Sequence, residues 1–485
     1  MGSAEFKVVI VGGGFSGIGV AIRLLKEGIR DFVILEKAAQ LGGAWRENTY
    51  PGCACDVPSQ LYSFSFAPNP DWSRVFAEGP EIQRYLLEVA KRFGVEPHVR
   101  FDAEVRSARW SEADQRWAVE TAQGTLTGQV LVAGAGPLHE PRVPAILGLE
   151  SFQGTHFHTA RWNHDHDLSG ARVALVGTGS SAIQVLPKLQ PQVGQLVLFQ
   201  RTAPWVLPKP DHAMPALERA ALRHLPGFQR GYRGAVYWLL ELLQLAERRP
   251  AVMQQVQRLG LALLRHQVAD PELRRQLTPE FVLGCKRLLL SNTYYPALAQ
   301  PNVTLVASGV ERVTPRGVVD AQGIEHAVDT LVWATGFRVT DPPIAERVFG
   351  RGGASLAEVW DGSPQAYLGT CVAGFPNLFL MIGPNLGNGH GSALVQVEAQ
   401  AGYIASALAT LEREDLTSLE VRRAVQESYN DRVQEALAGT VWNAGGCASY
   451  YLDLHGRNST IYPWTTLDMR RRLARLEPAR FIARR

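Results

Sequence analysis

Apolar residues along the chain fall into short, nearly continuous runs. These lie at 6–11, 32–35, 130–133, 196–199, 330–334 and 378–382. Each is too short for a buried helix and rich in Val, Ile, Leu and Phe, which suits strands covered on both faces of a parallel sheet. They alternate with amphipathic, helix-compatible stretches such as 81–93 and 395–411, and this alternation predicts an α/β architecture. Residues 211–280 break the rhythm. Val236, Leu239, Leu240 and Leu243, then Val256, Leu259 and Leu263, recur at helical spacing without a strand signal. A helical insertion over 211–278 is expected. Its apolar stripe, which includes Tyr237 and Trp238, is expected to face the core or to form a lid, in preference to lying on a membrane surface.

Two segments resemble each other. Residues 8–17 read VVIVGGGFSG and residues 173–182 read VALVGTGSSA. Each is a β-branched run, a Gly-rich turn and a helix start, the opening of a dinucleotide-binding βαβ unit. In the first, Gly12 makes the tight turn, Gly14 lets backbone N–H groups approach a pyrophosphate, and Gly17 allows close helix–strand packing. Glu36 follows 19 residues after Gly17. An acid there bonds a ribose diol and repels a 2′-phosphate, so this site should take FAD or NAD. In the second, Gly177 and Gly179 repeat the turn with Ala182 in the third small position. The next strand ends in Gln200, Arg201 and Thr202 with no acid. Arg201 suits a 2′-phosphate, so this site reads as NADPH. One resident flavin reduced by one exchanging nicotinamide is the simplest pairing. The expected fold is α/β with two Rossmann-like dinucleotide-binding domains: an FAD domain from 1–150 and 335–485, an NADP domain from 151–210 and 279–334, and the helical insertion between.

Composition narrows this further. With 46% hydrophobic and 20% charged residues the chain is ordinary globular protein. Its 49 basic and 46 acidic residues leave a net charge of +3, which supplies no drive toward nucleic acid. Five Cys is too few and odd for a disulfide scaffold. No stretch reaches the ~18 uninterrupted apolar residues of a membrane span, and the N-terminus lacks a signal-peptide pattern. A cytoplasmic location is therefore expected. The Arg-rich tail from 470 to 485 is expected to be a solvated terminal helix. The run His164-Asp165-His166-Asp167 has metal-like spacing, but its place between two elements favours a polar loop, and no metal is expected.

Between the two units lies Phe152-Gln153-Gly154, then His158 and Trp162, in the order F-x-G-x-x-x-H-x-x-x-W. This resembles the signature of type I Baeyer–Villiger monooxygenases, a branch of the class B flavoprotein monooxygenases, although Asn163 stands where that signature usually continues with Pro or Asp. Residues 43–56, GAWRENTYPGCACD, resemble a second family pattern. Further matches are Lys286-Arg287 followed by Asn292-Thr293-Tyr294-Tyr295, and Trp333-Ala334-Thr335-Gly336-Phe337. The stretch CKRLLLSN at 285–292 is similar to the hydroxyacetophenone-type branch.

The resemblance implies an FAD enzyme that uses NADPH and O2. It would insert oxygen next to a ketone carbonyl through a C4a-peroxyflavin, giving an ester or lactone. It places the active-site guanidinium on Arg287, its acidic partner on Asp56, and 2′-phosphate contacts on Lys286 and Thr202. Trp45 would pack near the isoalloxazine. His158 and Trp162 would couple nucleotide binding to domain position. Alternatives are oxygenation at nitrogen or sulfur, and a non-catalytic redox-sensing flavoprotein. Cys53 and Cys55 invite comparison with pyridine-nucleotide disulfide reductases, but Cys-x-Cys is a strained spacing for such a pair. The partners expected are a small-molecule ketone and O2, with no nucleic acid and no membrane. Oligomeric state is open.

Overall fold

Both glycine turns close the strand–turn–helix units that the sequence pattern predicts. In the computed structural model, which describes residues 4–389 and 391–485, the first unit runs from strand Ala4–Val11 into helix Phe15–Lys26 and on to strand Phe32–Leu35. These strands are parallel and pair Val9 with Val33 and Ile10 with Ile34. They sit in an eight-stranded sheet whose order is Val348–Phe349, Val105–Ser111, Arg116–Thr121, Gly124–Ala133, Ala4–Val11, Phe32–Leu35, Val99–Arg100, with Leu378–Leu380 also against Gly124–Ala133. Helix Ala393–Arg413 packs with Phe15–Lys26 on one face, and a second core with Trp110, Trp117 and Phe375 fills the other.

The second unit joins Arg172–Val176, helix Ser180–Leu189 and Gln195–Phe199. Its sheet has five parallel strands in the order Val303–Val306, Gln195–Phe199, Arg172–Val176, Thr330–Trp333, Thr155–His158. Both sheets therefore carry their helix N-termini at the carboxyl ends of the strands, where dinucleotides bind in open α/β folds.

Three local expectations need correction. Strand 378–382 stops at Leu380, because Ile382 takes a left-handed φ of +50° that ends the ladder. The tail is not a solvated helix: Phe481–Arg484 pairs antiparallel with Ser418–Val421, and Arg472, Arg480 and Arg484 bond Asp468, Glu477 and Glu112. The insertion is helical as expected, in Ala216–His224, Phe228–Glu247, Pro250–Gln267 and Pro271–Gln276, but its stripe divides. Val236, Leu240 and Leu243 pack on the core, whereas Trp238, Leu239 and Leu242 are 55%, 65% and 62% exposed. Among the described residues no helix is long and apolar enough to cross a membrane.

Candidate active site

The first turn has the shape a dinucleotide requires. Gly12 adopts φ +99°, and a Cβ there would lie 2.6 Å from the Gly134 carbonyl oxygen. A Cβ on Gly17 would lie 1.9 Å from the Gly12 oxygen, so only Gly lets the helix start this close to its strand. At Gly14 the nearest atom would be the Gly43 Cα at 3.4 Å, so this position is open to a ligand. Glu36 is buried. Its carboxylate accepts from the Gly13 N–H at 2.7 Å, the Ala38 N–H at 3.0 Å and the Arg46 guanidinium at 3.0 Å. A carboxylate has about four acceptor positions, which leaves one for a ribose hydroxyl. The residues fit a flavin dinucleotide.

The second turn is equally open. Gly177 sits at φ +116° with the Ala334 oxygen 2.4 Å from a would-be Cβ, and nothing lies within 4 Å of one at Gly179. Ala182, in the first turn of helix Ser180–Leu189, is fully buried. Arg201 is exposed at the strand end. The Lys286 ammonium lies 5.0 Å from the Phe281 ring, and burial, together with the Arg201 charge, lowers its pKa. Two cations from segments 85 residues apart in sequence thus feel each other's charge, and among the described residues neither forms a salt bridge with an acid, which fits an NADP 2′-phosphate. Thr202 contributes its backbone carbonyl to a bond from the Thr178 hydroxyl.

Arg287 and Asp56 meet across 231 residues. The Arg287 Nε donates to Asp56 Oδ2 at 2.7 Å and Nη2 donates to Oδ1 at 2.8 Å, a bidentate fork. Nη1 donates to the Gly389 carbonyl at 3.3 Å. Burial opposes the charge on Arg287, but the Asp56 carboxylate, with Tyr450 and Tyr451 nearby, outweighs it and raises the guanidinium pKa well above its ordinary value. The loop that carries Asp56 is fixed from both sides. Cys55 N–H donates to the Ala77 carbonyl, and Gln184 on the second unit's helix accepts from the Tyr50 hydroxyl at 2.8 Å and donates to the Ala54 carbonyl at 3.0 Å. Gly52, at φ +83°, makes this contact possible, since a Cβ would stand 2.6 Å from the Gln184 oxygen. Trp45 packs against the cores of both units and donates its indole N–H to the Tyr62 hydroxyl at 3.0 Å.

Gln184, Tyr62, Tyr450 and Lys209 lie around the Arg287–Asp56 pair, and no motif in the sequence singles them out. Lys209 lies near Asp211, Cys55 and Asp56, and burial lowers its pKa. Its backbone bonds the Asn292 side chain in both directions, at 2.9 and 2.8 Å, which gives the Asn of the 285–292 stretch a structural task. No spacing rule links positions 209 and 292; only the parallel pairing of Val206–Leu207 with Leu289–Leu290 brings them together.

Cysteine usage also differs from expectation. Cys285 and Cys447 form a disulfide, with Cα atoms 6.1 Å apart. It ties the segment carrying Lys286 and Arg287 to the loop that brings Tyr450 and Tyr451 beside the guanidinium. Cys53 and Cys55 are separate thiols, and burial raises both, Cys53 to about 11. Neither is a thiolate at neutral pH, as a disulfide reductase pair would need. His164 bonds Thr49 and His166 bonds Thr330, so their rings turn to different neighbours.

The linker signature is built into the joint between the units. A Cβ on Gly154 would stand 2.2 Å from the Asp329 oxygen, and Phe152 packs on the core beside Trp333. Trp162 meets Phe157 edge-on at 5.0 Å. His158 is buried, accepts the Ala160 N–H on Nδ1 at 3.0 Å and lies 5.8 Å from the Phe337 ring. Burial lowers its pKa from 6.5 to about 4, so it is neutral at pH 7 and unsuited to act as a proton carrier there. The unfolded chain binds this proton first, so His158 contributes stability above pH 6.5 that is lost as pH falls toward 4. The loss is at most about 3 kcal/mol. Thermal melts of the wild type against His158→Gln should converge across that interval; parallel curves would contradict it.

Comparison with known proteins places this geometry. A family model described as pyridine nucleotide-disulphide oxidoreductase matches residues 9–218. A Baeyer–Villiger monooxygenase of Streptomyces coelicolor is 49% identical over 98% of this chain and 92% of its own. The chain belongs to the Baeyer–Villiger monooxygenases. A second such enzyme, from Pseudomonas aeruginosa, is 48% identical over 96% of this chain and 89% of its own. The crystal structure of cyclohexanone monooxygenase from Rhodococcus, bound to NADP+, superposes with a TM-score of 0.87 at 27% identity over the full length of both chains. The protein is thus a flavoprotein monooxygenase that uses FAD and NADPH on an α/β fold.

Proposed function

We propose that this monooxygenase takes a ketone and O2 and inserts one oxygen atom beside the carbonyl, giving an ester or lactone. The observation that carries this reading is the Arg287–Asp56 fork, set where the Asp56 loop, the Arg287 segment and Gly389 meet. Bound FAD supplies the redox chemistry toward NADPH and O2. The chain's own part is electrostatic. The reaction develops negative charge that must not be quenched by a proton, and a guanidinium stabilises such charge without giving up its own. Asp56 aims the fork and keeps it charged. In this division of labour residues 1–150 and 335–485 hold FAD through Gly12, Gly14, Gly17 and Glu36, with Trp45 beside the flavin ring. Residues 151–210 and 279–334 hold NADPH through Gly177, Gly179, Arg201, Thr202 and Lys286. Phe152, Gly154, His158 and Trp162 couple the two, and 211–278 forms the insertion.

The test is NADPH oxidation against aliphatic, cyclic and aryl ketones beside a sulfide, with products identified. Ester or lactone formation is expected; sulfoxide alone would overturn the carbonyl reading. Arg201→Ala should raise the KM for NADPH by roughly 5- to 150-fold, about 1–3 kcal/mol of lost charge-assisted contact, and leave that for NADH unchanged. An unaltered cofactor preference would place the phosphate contact elsewhere.

A further inference from the structure

Helix Phe228–Glu247 is apolar on two sides: Val236, Leu240 and Leu243 pack on the core, and a second apolar stripe faces outward. Its buried residues are Glu241, Gln244 and Glu247. Glu241 accepts from the Thr466 N–H at 3.1 Å, Gln244 donates to the Trp464 carbonyl at 2.7 Å, and Arg233 donates to the carbonyls of Gln60 and Ser63. Polar bonds and the packing of Val236, Leu240 and Leu243 together dock the inner face. The outer face carries Phe228, Trp238, Leu239, Leu242 and Leu245, which are 42%, 55%, 65%, 62% and 40% exposed. Their spacing puts them on one continuous side of the helix, and Arg249 falls on the same side just past its end. Leaving four or five large apolar side chains in water on one helix is unfavourable, and such patches mark an interaction surface.

Charge decides what covers it. From residue 219 to 269 the chain carries eight Arg, and its two acids, Glu241 and Glu247, are both buried. Arg230, Arg248, Arg249 and Arg258 are exposed, Arg249 on the apolar side of the helix, and no carboxylate of residues 219–269 is exposed. A symmetric dimer through this face would set each Arg cluster against its own copy, which costs energy. Nucleic acid offers nothing for Trp238 and the Leu residues to enter. An anionic phospholipid surface satisfies both halves: acyl chains and the interfacial zone take the Trp and Leu side chains, and headgroup phosphates take the Arg.

We propose that the outer face of helix Phe228–Glu247 is a peripheral docking surface for anionic phospholipid bilayers. The helix lies in the plane of the interface and does not span it. Apolar ketones partition into the same phase, so docking would bring the enzyme to a lipid-dissolved substrate pool. Docking does not depend on the catalytic assignment, and its test can fail independently of it.

The test uses the FAD-loaded full chain and co-sedimentation with vesicles of 30% phosphatidylglycerol in phosphatidylcholine, beside pure phosphatidylcholine. Binding to the anionic vesicles at low salt is expected, with at least a tenfold weakening in molar salt or on zwitterionic vesicles. Trp238→Ser with Leu242→Gln should weaken binding at least tenfold while NADPH oxidation stays normal, which shows the fold intact. Arg248→Gln with Arg249→Gln should lower affinity and flatten the salt dependence. Absence of binding to anionic vesicles, or binding that both double variants leave unchanged, overturns the proposal. Sedimentation as a dimer that Trp238→Ser dissociates would assign the face to a second copy, and retention on polyglutamate but not on vesicles would assign it to an acidic protein.

Discussion

Arg287→Ala should lower ester formation by at least a hundredfold while NADPH still reduces the flavin. The magnitude follows from the loss of one preorganised charge donor, which typically costs 10²–10³ in rate. The position gives the loss its specificity. Arg287 places Nε and Nη2 on Asp56, and among the described residues Nη1 reaches the Gly389 carbonyl at 3.3 Å, a longer bond that reacting atoms could replace. On the proposed reading flavin reduction depends instead on the second glycine turn, Arg201 and Lys286, and should continue. Arg287→Lys keeps the charge but cannot span both Asp56 oxygens and reach past them, so it should recover little. The measurement is product formed per NADPH consumed: a low ratio with continued NADPH oxidation is expected. Near-normal ester yield in Arg287→Ala would remove this residue from the chemistry.

The parts of this assembly that were legible in sequence are those whose physics is local. The two glycine turns announce themselves because positive φ and close backbone approach exclude other residues, and the structure meets Gly12, Gly17 and Gly177 with just these constraints. Buried parallel strands read as continuous apolar runs for the same reason. The fork between Arg287 and Asp56 could not be derived from spacing, since 231 residues separate them; the family resemblance supplied it. Gln184 and Lys209 carried no signal at all, because each is an ordinary residue made important by what a different segment brings to it. The insertion misled in an instructive way. Helical periodicity reports an apolar face but not its width, and here Val236, Leu240 and Leu243 pack on the core while Trp238, Leu239 and Leu242 continue the apolar surface outward, with Arg233, Glu241 and Gln244 making polar bonds on the inner side. The tail was misread because Arg-rich composition obscured Phe481 and Ile482, which belong to a strand paired with Ser418–Val421.

Gly17→Ala should yield protein without bound flavin and with reduced stability, whereas Gly14→Ala should lose flavin affinity alone. The two positions lie in one motif but meet different surroundings. A Cβ at residue 17 falls 1.9 Å from the Gly12 oxygen and 3.3 Å from Ile10 Cγ2. The first contact is with backbone inside a tight turn and cannot be relieved by a side-chain rotation, so helix Phe15–Lys26 must move off its strand. Overpacking of this kind costs roughly 1–3 kcal/mol or more. The same movement displaces the helix N-terminus that faces a pyrophosphate. A Cβ at residue 14 instead finds ordinary contact, 3.4 Å from Gly43 Cα, and intrudes only on the space a ligand would fill. Flavin absorbance per mole of protein and thermal melts in excess FAD separate the cases. Gly14→Ala should regain its cofactor at high FAD with a near-normal melt, and Gly17→Ala should not. Equal behaviour of the two variants would mean that helix packing and cofactor contact are not divided between these glycines.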